Sequence, residues 1–174
     1  MQPLLKFNQS EINAIANRYS YQDNEDDLTA LKLNIMQRGH ILINELRQVA
    51  NWKSPRSAGH VNRNDASFVE EITSFAFSSS AERARIETLT LLDGVSWPTA
   101  STILHFFHRD PYPIIDYRAL WSLSLGVPKQ YKFAFWWQYV EACRALATTA
   151  QVNMRTLDRA LWQYSKENQP SITT

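Results

Sequence analysis

The sequence predicts an all-α protein: a single-domain helical bundle over residues 1–168, followed by a frayed tail at 169–174. Three observations carry that reading. Apolar residues recur at helical spacing, as in Leu28, Leu31, Ile35, Leu42, Leu46 and Val49. No stretch alternates with the period of two that marks a strand. The 174 residues amount to one domain, and 44% hydrophobic with 20% charged residues leaves room for a sizeable core.

Each element has its own signal. Ser10 opens a short helix whose Ile12, Ile15 and Ala16 face inward. The acidic run DNEDD at 23–27 then supplies the cap and first turn of one long helix from Leu28 to Val49, bent near Gly39. Those charges suit the positive end of a helix better than they suit a patch for a basic partner. The run ANWKSPRSAGHVNRND breaks the pattern with Pro55 and Gly59 and reads as a loop. Asn64 or Asp65 caps a helix through Phe77, and Ser79 or Ser80 caps another through Leu92. Further helices are expected at 97–108, 117–125, 130–147 and 154–167, with Gly126 and Pro128 marking a stop and restart.

Composition excludes several functions. A single cysteine, Cys143, makes no intrachain disulfide, multi-cysteine zinc site or iron–sulfur cluster, and points to a reducing, cytoplasmic setting. No window is long and apolar enough to span a bilayer, and the start MQPLLKFNQSE lacks the basic and apolar regions of a leader. The four glycines are scattered, so no phosphate-cradling nucleotide motif exists and no nucleotide cofactor is expected. A net charge of +1 requires any nucleic-acid surface to be a local patch. His105 and His108 are three apart but lack further ligands, so no metal is expected. The aromatic run Phe133, Phe135, Trp136, Trp137 and Tyr139 reads mainly as core rather than as a base-stacking platform.

One segment carries chemistry, LLDGVSWPTASTIL at 91–104. A helix ends at Leu92, a tight turn holds Gly94, and a new helix begins near Trp97 with Pro98 in its first turn, where a missing amide costs nothing. Such a hairpin, at 92–98, leaves backbone N–H donors at a helix N-terminus that suit a phosphate oxygen. Gly94 supplies a left-handed turn and lets the backbone come close to DNA.

The segment resembles the hairpin of the helix-hairpin-helix DNA glycosylase superfamily through Leu92, Gly94, Val95, Thr99 and Ala100. That superfamily carries an aspartate 18 residues beyond the position before the threonine. Here that position is Pro98, and Asp116 stands 18 residues on, within YPIIDYR. The clear resemblance covers residues 87–121. It implies a DNA glycosylase-like fold and activity on double-stranded DNA, with Asp116 as the catalytic carboxylate. Bifunctional members place a lysine where Pro98 stands, so the resemblance implies a monofunctional enzyme without lyase activity. Ser96 replaces the second hairpin glycine, the four-cysteine cluster of some members is absent, and the stretch before the hairpin is short, which bears on the base pocket.

The chemistry is consistent with these residues. Cleaving an N-glycosidic bond builds positive charge on the sugar, which a carboxylate stabilises, and the base must first leave the duplex. DNA contacts are expected from Gly94, Val95, Ser96, Trp97 and Thr99 at the hairpin. Further contacts are expected from Lys53, Arg56 and Arg63 in the loop that also holds His60 and Asn62, and from Arg118. Trp52 and Tyr112 are the base-pocket candidates. Competing readings stand beside these: Asp116 and Ser96 are also good helix caps, Trp52 is equally a core anchor, Lys53 and Arg56 are equally ordinary loop charges, and Arg118 either pairs with Asp116 or reaches phosphate. The function expected is excision of a modified or damaged base by a monomer, in repair or in defence against modified phage DNA. The alternatives are a non-catalytic DNA-binding module and a helical protein-interaction domain.

Overall fold

A computed structural model describes residues 3–21 and 25–170. Among these residues the backbone is helical, with no strand. In chain order the helices are α1 (Ile12–Ala16), α2 (Glu25–Arg38), α3 (Ile43–Lys53), α4 (Ala66–Ser78), α5 (Glu82–Leu89), α6 (Trp97–Phe107), α7 (Tyr117–Ser122), α8 (Phe133–Thr149) and α9 (Met154–Asn168). Short 3-10 turns lie at Gln9–Glu11 and Ala58–Arg63. Packing divides the chain into two compact units: Gln22–Tyr112, and a second formed by Met1–Tyr21 with Pro113–Thr174.

In the Gln22–Tyr112 unit, the expected single helix from Leu28 to Val49 is two helices. Gly39 takes φ +81° and its N–H closes on the Ile35 carbonyl at 2.8 Å, which terminates α2 in the left-handed conformation open to glycine. The corner is then locked. Ile41 N–H donates to Thr73 Oγ1 at 2.9 Å, and Glu45 accepts from both Leu42 N–H, at 2.7 Å, and the Arg38 guanidinium. Ile35, Leu46 and Val49 are buried as expected, but the break shifts the register between them, so that Ile41 is buried and Leu42 is exposed. Of the acidic run, Asp23 and Asn24 lie outside the described residues, Glu25 is buried, and Asp26 and Asp27 are exposed in the first turn of α2.

The loop expected after Val49 starts later, because α3 continues through Trp52 and Lys53 and the Ala58–Arg63 turn fills its far end. Asp65 is the N-cap residue of α4. Ser79 Oγ accepts Ala81 N–H at 3.2 Å ahead of α5. The central helix is α6, which packs against α2, α3 and α5. Residues 99–104 are all buried, and small side chains at Thr99, Ala100 and Ser101 allow close approach of its neighbours.

In the second unit α9 packs against α1, α7 and α8. Leu157, Ala160 and Leu161 are fully buried, and Ser122 Oγ donates to the Leu161 carbonyl at 2.6 Å. Trp136, Tyr139, Val140 and Cys143 of α8 are core residues. α7 stops at Ser122 rather than 125, because Ser124 takes φ +57° and Leu125 N–H turns back to the Leu120 carbonyl at 2.8 Å. In the expected tail, Ser165 Oγ bonds to Gln169 Oε1 at 2.6 Å, and 171–174 lie outside the described residues. No helix of the described residues is long and apolar enough to cross a membrane.

Candidate functional site

Between α5 and α6 the chain reverses on four residues. Val95 N–H donates to the Leu92 carbonyl at 3.0 Å, and Gly94, the third of the four, has the φ of +80° that a type II turn requires there. Leu92 and Val95 are buried and anchor the turn to the core. Asn64 clamps it from outside: its Oδ1 accepts Asp93 N–H at 2.8 Å, and its Nδ2 donates to the carbonyls of Asp93 and Val61, both at 2.9 Å. A Cβ on Gly94 would lie 2.9 Å from Val61 N and 2.9 Å from Val61 Cγ2. The close approach that the sequence assigns to DNA is therefore made to the protein's own backbone.

The residues expected at a DNA surface separate into two sets. Ser96 is exposed and Gly94 and Trp97 are half-buried, whereas Val95 and Thr99 are buried, so their side chains are core and only their backbone is available to a ligand. Ser96 is the N-cap residue of α6, but its hydroxyl accepts no hydrogen bond from the first helical turn. Asp93 places an exposed carboxylate in the same turn.

The basic segment adjoins this turn. Val61 touches Gly94 and Asn64 grips Asp93, leaving Arg63 exposed between two points of attachment. Arg56 and His60 are also exposed, Lys53 is half-buried, and Asn62 accepts from Arg47 Nε at 2.6 Å. Arg63 is thus brought beside the turn through contacts spanning about thirty residues of chain, with the exposed carboxylates of Asp65 and Asp93 as its neighbours in sequence and at the clamp.

Both base-pocket candidates are core residues. Trp52 is 2% exposed, with its ring edge-on to Phe106 at 5.3 Å between centroids. Tyr112 is fully buried. Its hydroxyl donates to Glu82 Oε2 at 2.7 Å and accepts from Arg85 Nη1 at 2.6 Å, and its carbonyl meets His105 Nδ1 at 2.6 Å. A stacking wall needs an open ring face, and neither residue offers one. His108 is buried too. Its pKa is lowered chiefly by burial and then by the nearby Arg85 charge. Among the described residues no group of three or more His, Cys, Asp and Glu could hold a metal ion.

Asp116 belongs to the second unit, where the segment leading to it is pinned on both backbone groups of Ile114. Asp158 Oδ1 accepts the Ile114 N–H at 3.0 Å, and the Tyr139 hydroxyl donates to the Ile114 carbonyl at 2.8 Å. The carboxyl of Asp116 is half-buried at the N-cap of α7, its Oδ1 accepting Ala119 N–H at 2.9 Å. Tyr131 lies within its field: that hydroxyl's pKa is raised first by burial and then by the Asp116 charge. Arg118 lies over the rings of Tyr117 and Trp162, at 5.1 and 5.3 Å, with Nη1 3.5 Å from Ser165 Oγ.

Sequence reasoning missed Asn64 as a clamp and Tyr131 as a neighbour of the carboxylate. Asn64 carries an ordinary helix-cap signal and its partner is 29 residues away, while Tyr131 sits outside any motif. Comparison with known proteins adds no relative: no family model, no curated protein and no solved structure matches the chain.

Proposed function

We propose that the protein is a monofunctional DNA glycosylase, in which the α5–α6 turn is a helix-hairpin-helix element holding the DNA backbone and Asp116 serves the cleavage of an N-glycosidic bond. The observation that carries this reading is the Gly94 turn, with its attached basic segment, in a chain whose Asp116 stands 18 residues after Pro98. The first backbone N–H groups of α6 and the cations at Arg56 and Arg63 suit phosphate oxygens.

In the proposed reaction the target nucleotide leaves the stack. Its C1′–N bond breaks with the bonding pair departing on the base, water adds its oxygen to C1′, and the proton that water gives up ends on the departed base. Asp116 stabilises the cationic sugar, and the Ala119 N–H bond fixes the plane of its carboxyl group. Pro98 offers no amine, so no covalent link to the sugar forms and the abasic strand stays intact. The substrate is a modified or damaged base, in repair or in defence against modified phage DNA.

The test is incubation with duplexes carrying alkylated, oxidised or deaminated bases, followed by alkaline cleavage of abasic sites. Strand breaks that need alkali, and that vanish in Asp116→Asn, are the expected result. The burial of both Trp52 and Tyr112 favours a second reading, a module that binds modified DNA without cutting it. Salt-sensitive binding with no release of base from any duplex would select it.

A further inference from the structure

The loop that joins α7 to α8 is fixed at both roots. At its start Ser124 takes φ +57° and Leu125 N–H returns to the Leu120 carbonyl at 2.8 Å, which closes α7 and sets the direction in which the chain leaves. At its end Lys132 is the N-cap residue of α8, and the Tyr131 ring meets that of Phe135 at 6.1 Å between centroids. Between these roots Gly126, Val127, Lys129 and Gln130 are exposed. A loop held at its roots loses little conformational freedom when its tip binds.

The loop returns to the neighbourhood of Asp116. Tyr139 donates to the Ile114 carbonyl at 2.8 Å, which sets α8 beside the segment that ends in Asp116. Phe135 stands one helical turn before Tyr139 on the same face, and Tyr131 packs on Phe135. The hydroxyl of Tyr131, whose pKa is raised first by burial and then by the Asp116 charge, is half-buried. Lys129 and Lys132 are exposed on either side of it, with α-carbons within about 11 Å of each other by chain length.

Charge here has one sign. From Tyr117 to Val140 the chain holds Arg118, Lys129 and Lys132 and no Asp or Glu. Arg118 is engaged within the fold, over the rings of Tyr117 and Trp162. Among the described residues Lys129 and Lys132 touch neither a carboxylate nor a ring. The next carboxylate along the chain, Glu141, is nine residues past Lys132. That is about 13 Å along a helix, farther than the Debye length of about 10 Å at 0.1 M salt. Two uncompensated ammonium groups three residues apart suit an anion of repeated charge. The one large apolar side chain exposed between them and α7, Val127, is too little to anchor the loop in a bilayer.

We infer that the α7–α8 loop is a second DNA-contact surface, in which Lys129 and Lys132 hold phosphates of the strand presented to Asp116. It rests on the glycosylase reading only for what Asp116 does to that strand.

The experiment compares the full chain with K129Q/K132Q, measuring duplex affinity by fluorescence anisotropy across a salt series, with circular dichroism to establish folding. Each lost phosphate contact removes about 0.9 from the log–log salt slope, so the slope should fall by about 2. K32Q, at an exposed lysine of α2, should leave the slope unchanged. An unchanged slope in the folded double variant overturns the inference, as does a wild-type chain without salt-dependent duplex binding. A fall per lysine in K32Q equal to that in K129Q/K132Q overturns it as well, because the effect is then one of net charge. In the wild-type protein, protection of Lys129 and Lys132 from acetylation by duplex supports the surface, and equal labelling with and without duplex refutes it. The two proposals fail separately. If the lysines govern the slope but no base is ever released, the glycosylase reading falls and this surface stands. If base is released while the folded double variant binds like wild type, the surface falls alone.

Discussion

Gly94 meets Val61 with no space between them: a β-carbon at Gly94 would sit 2.9 Å from both the amide nitrogen and a Cγ of Val61. Gly39 has nearly the same backbone angle, φ +81° against +80°, but faces open space. The pair separates two costs that glycine substitutions usually mix. Gly39→Ala should cost about 1 kcal/mol, from the left-handed conformation alone. Gly94→Ala should cost about 1–3 kcal/mol more, from overpacking. Adding Val61→Ala should not restore stability, because the clash with the Val61 amide remains. Urea denaturation of the single and double variants measures this, and equal costs at the two glycines would contradict the packing argument.

Asp116 combines a cap with the proposed chemistry, and two substitutions separate these roles. Asn is as good an N-cap as Asp, so Asp116→Asn should leave stability within about 0.5 kcal/mol of wild type, whereas Asp116→Ala loses the Ala119 N–H bond and should cost about 1 kcal/mol. Base release should vanish in both. Retained release in Asp116→Asn would remove the carboxylate from the mechanism.

The helical class and the α9 boundaries were legible in the sequence because each rests on local periodicity, whereas of the aromatic run expected mainly as core only Trp136 and Tyr139 are buried and Phe133, Phe135 and Trp137 are half-buried. The break at Gly39 was not, since Ile35, Leu42, Leu46 and Val49 keep helical spacing in the sequence, whereas in the structure Ile41 is buried and Leu42 is exposed. At the site, the turn at Gly94 could be read because positive φ selects glycine. The exposure of Trp52 and Tyr112 could not be read, because an aromatic residue next to a loop has the same local signature whether it packs on Phe106 or faces solvent. Long-range partners such as Asn64 with Asp93 leave no local trace at all.

Trp52 provides a direct check on that correction. As a core residue edge-on to Phe106, its replacement by alanine should cost about 3–5 kcal/mol. Trp52→Phe keeps much of the volume and should remain folded, with duplex affinity unchanged per folded molecule. Chemical denaturation and anisotropy measure the two quantities. A stable Trp52→Ala with weakened DNA binding would return the residue to the base-stacking role.

Cys143 is fully buried on α8, and burial pushes its thiol pKa well above the ordinary range. A thiol without thiolate character and without access to reagent reacts slowly. Aromatic disulfide reagents should leave it unmodified at neutral pH in the folded protein and label one equivalent after unfolding. Rapid labelling of the native chain would indicate that α8 opens readily.

Arg18 and Glu167 join the end of α1 to α9 through two bonds, at 3.0 and 2.8 Å. The Glu167 carboxyl is held down to about 2, chiefly by the hydrogen bond from Arg18, with Gln163 adding a second. Because the folded pKa lies below the unfolded one, at about 4.3, the pair contributes its full stabilisation above roughly pH 4.5 and loses it as pH falls toward about 2. The pair is partly exposed, so salt screens it and its contribution is small. Carboxyl NMR titration should place Glu167 well below its neighbours in the wild type and shift it upward in Arg18→Gln. The shift should stop short of the ordinary range, because Gln163 Nε2 still donates at 2.8 Å. In the same variant the acid limb of the stability curve should flatten between about pH 4.5 and 2, and an identical limb with and without Arg18 would show that the contact does not hold these two elements in solution.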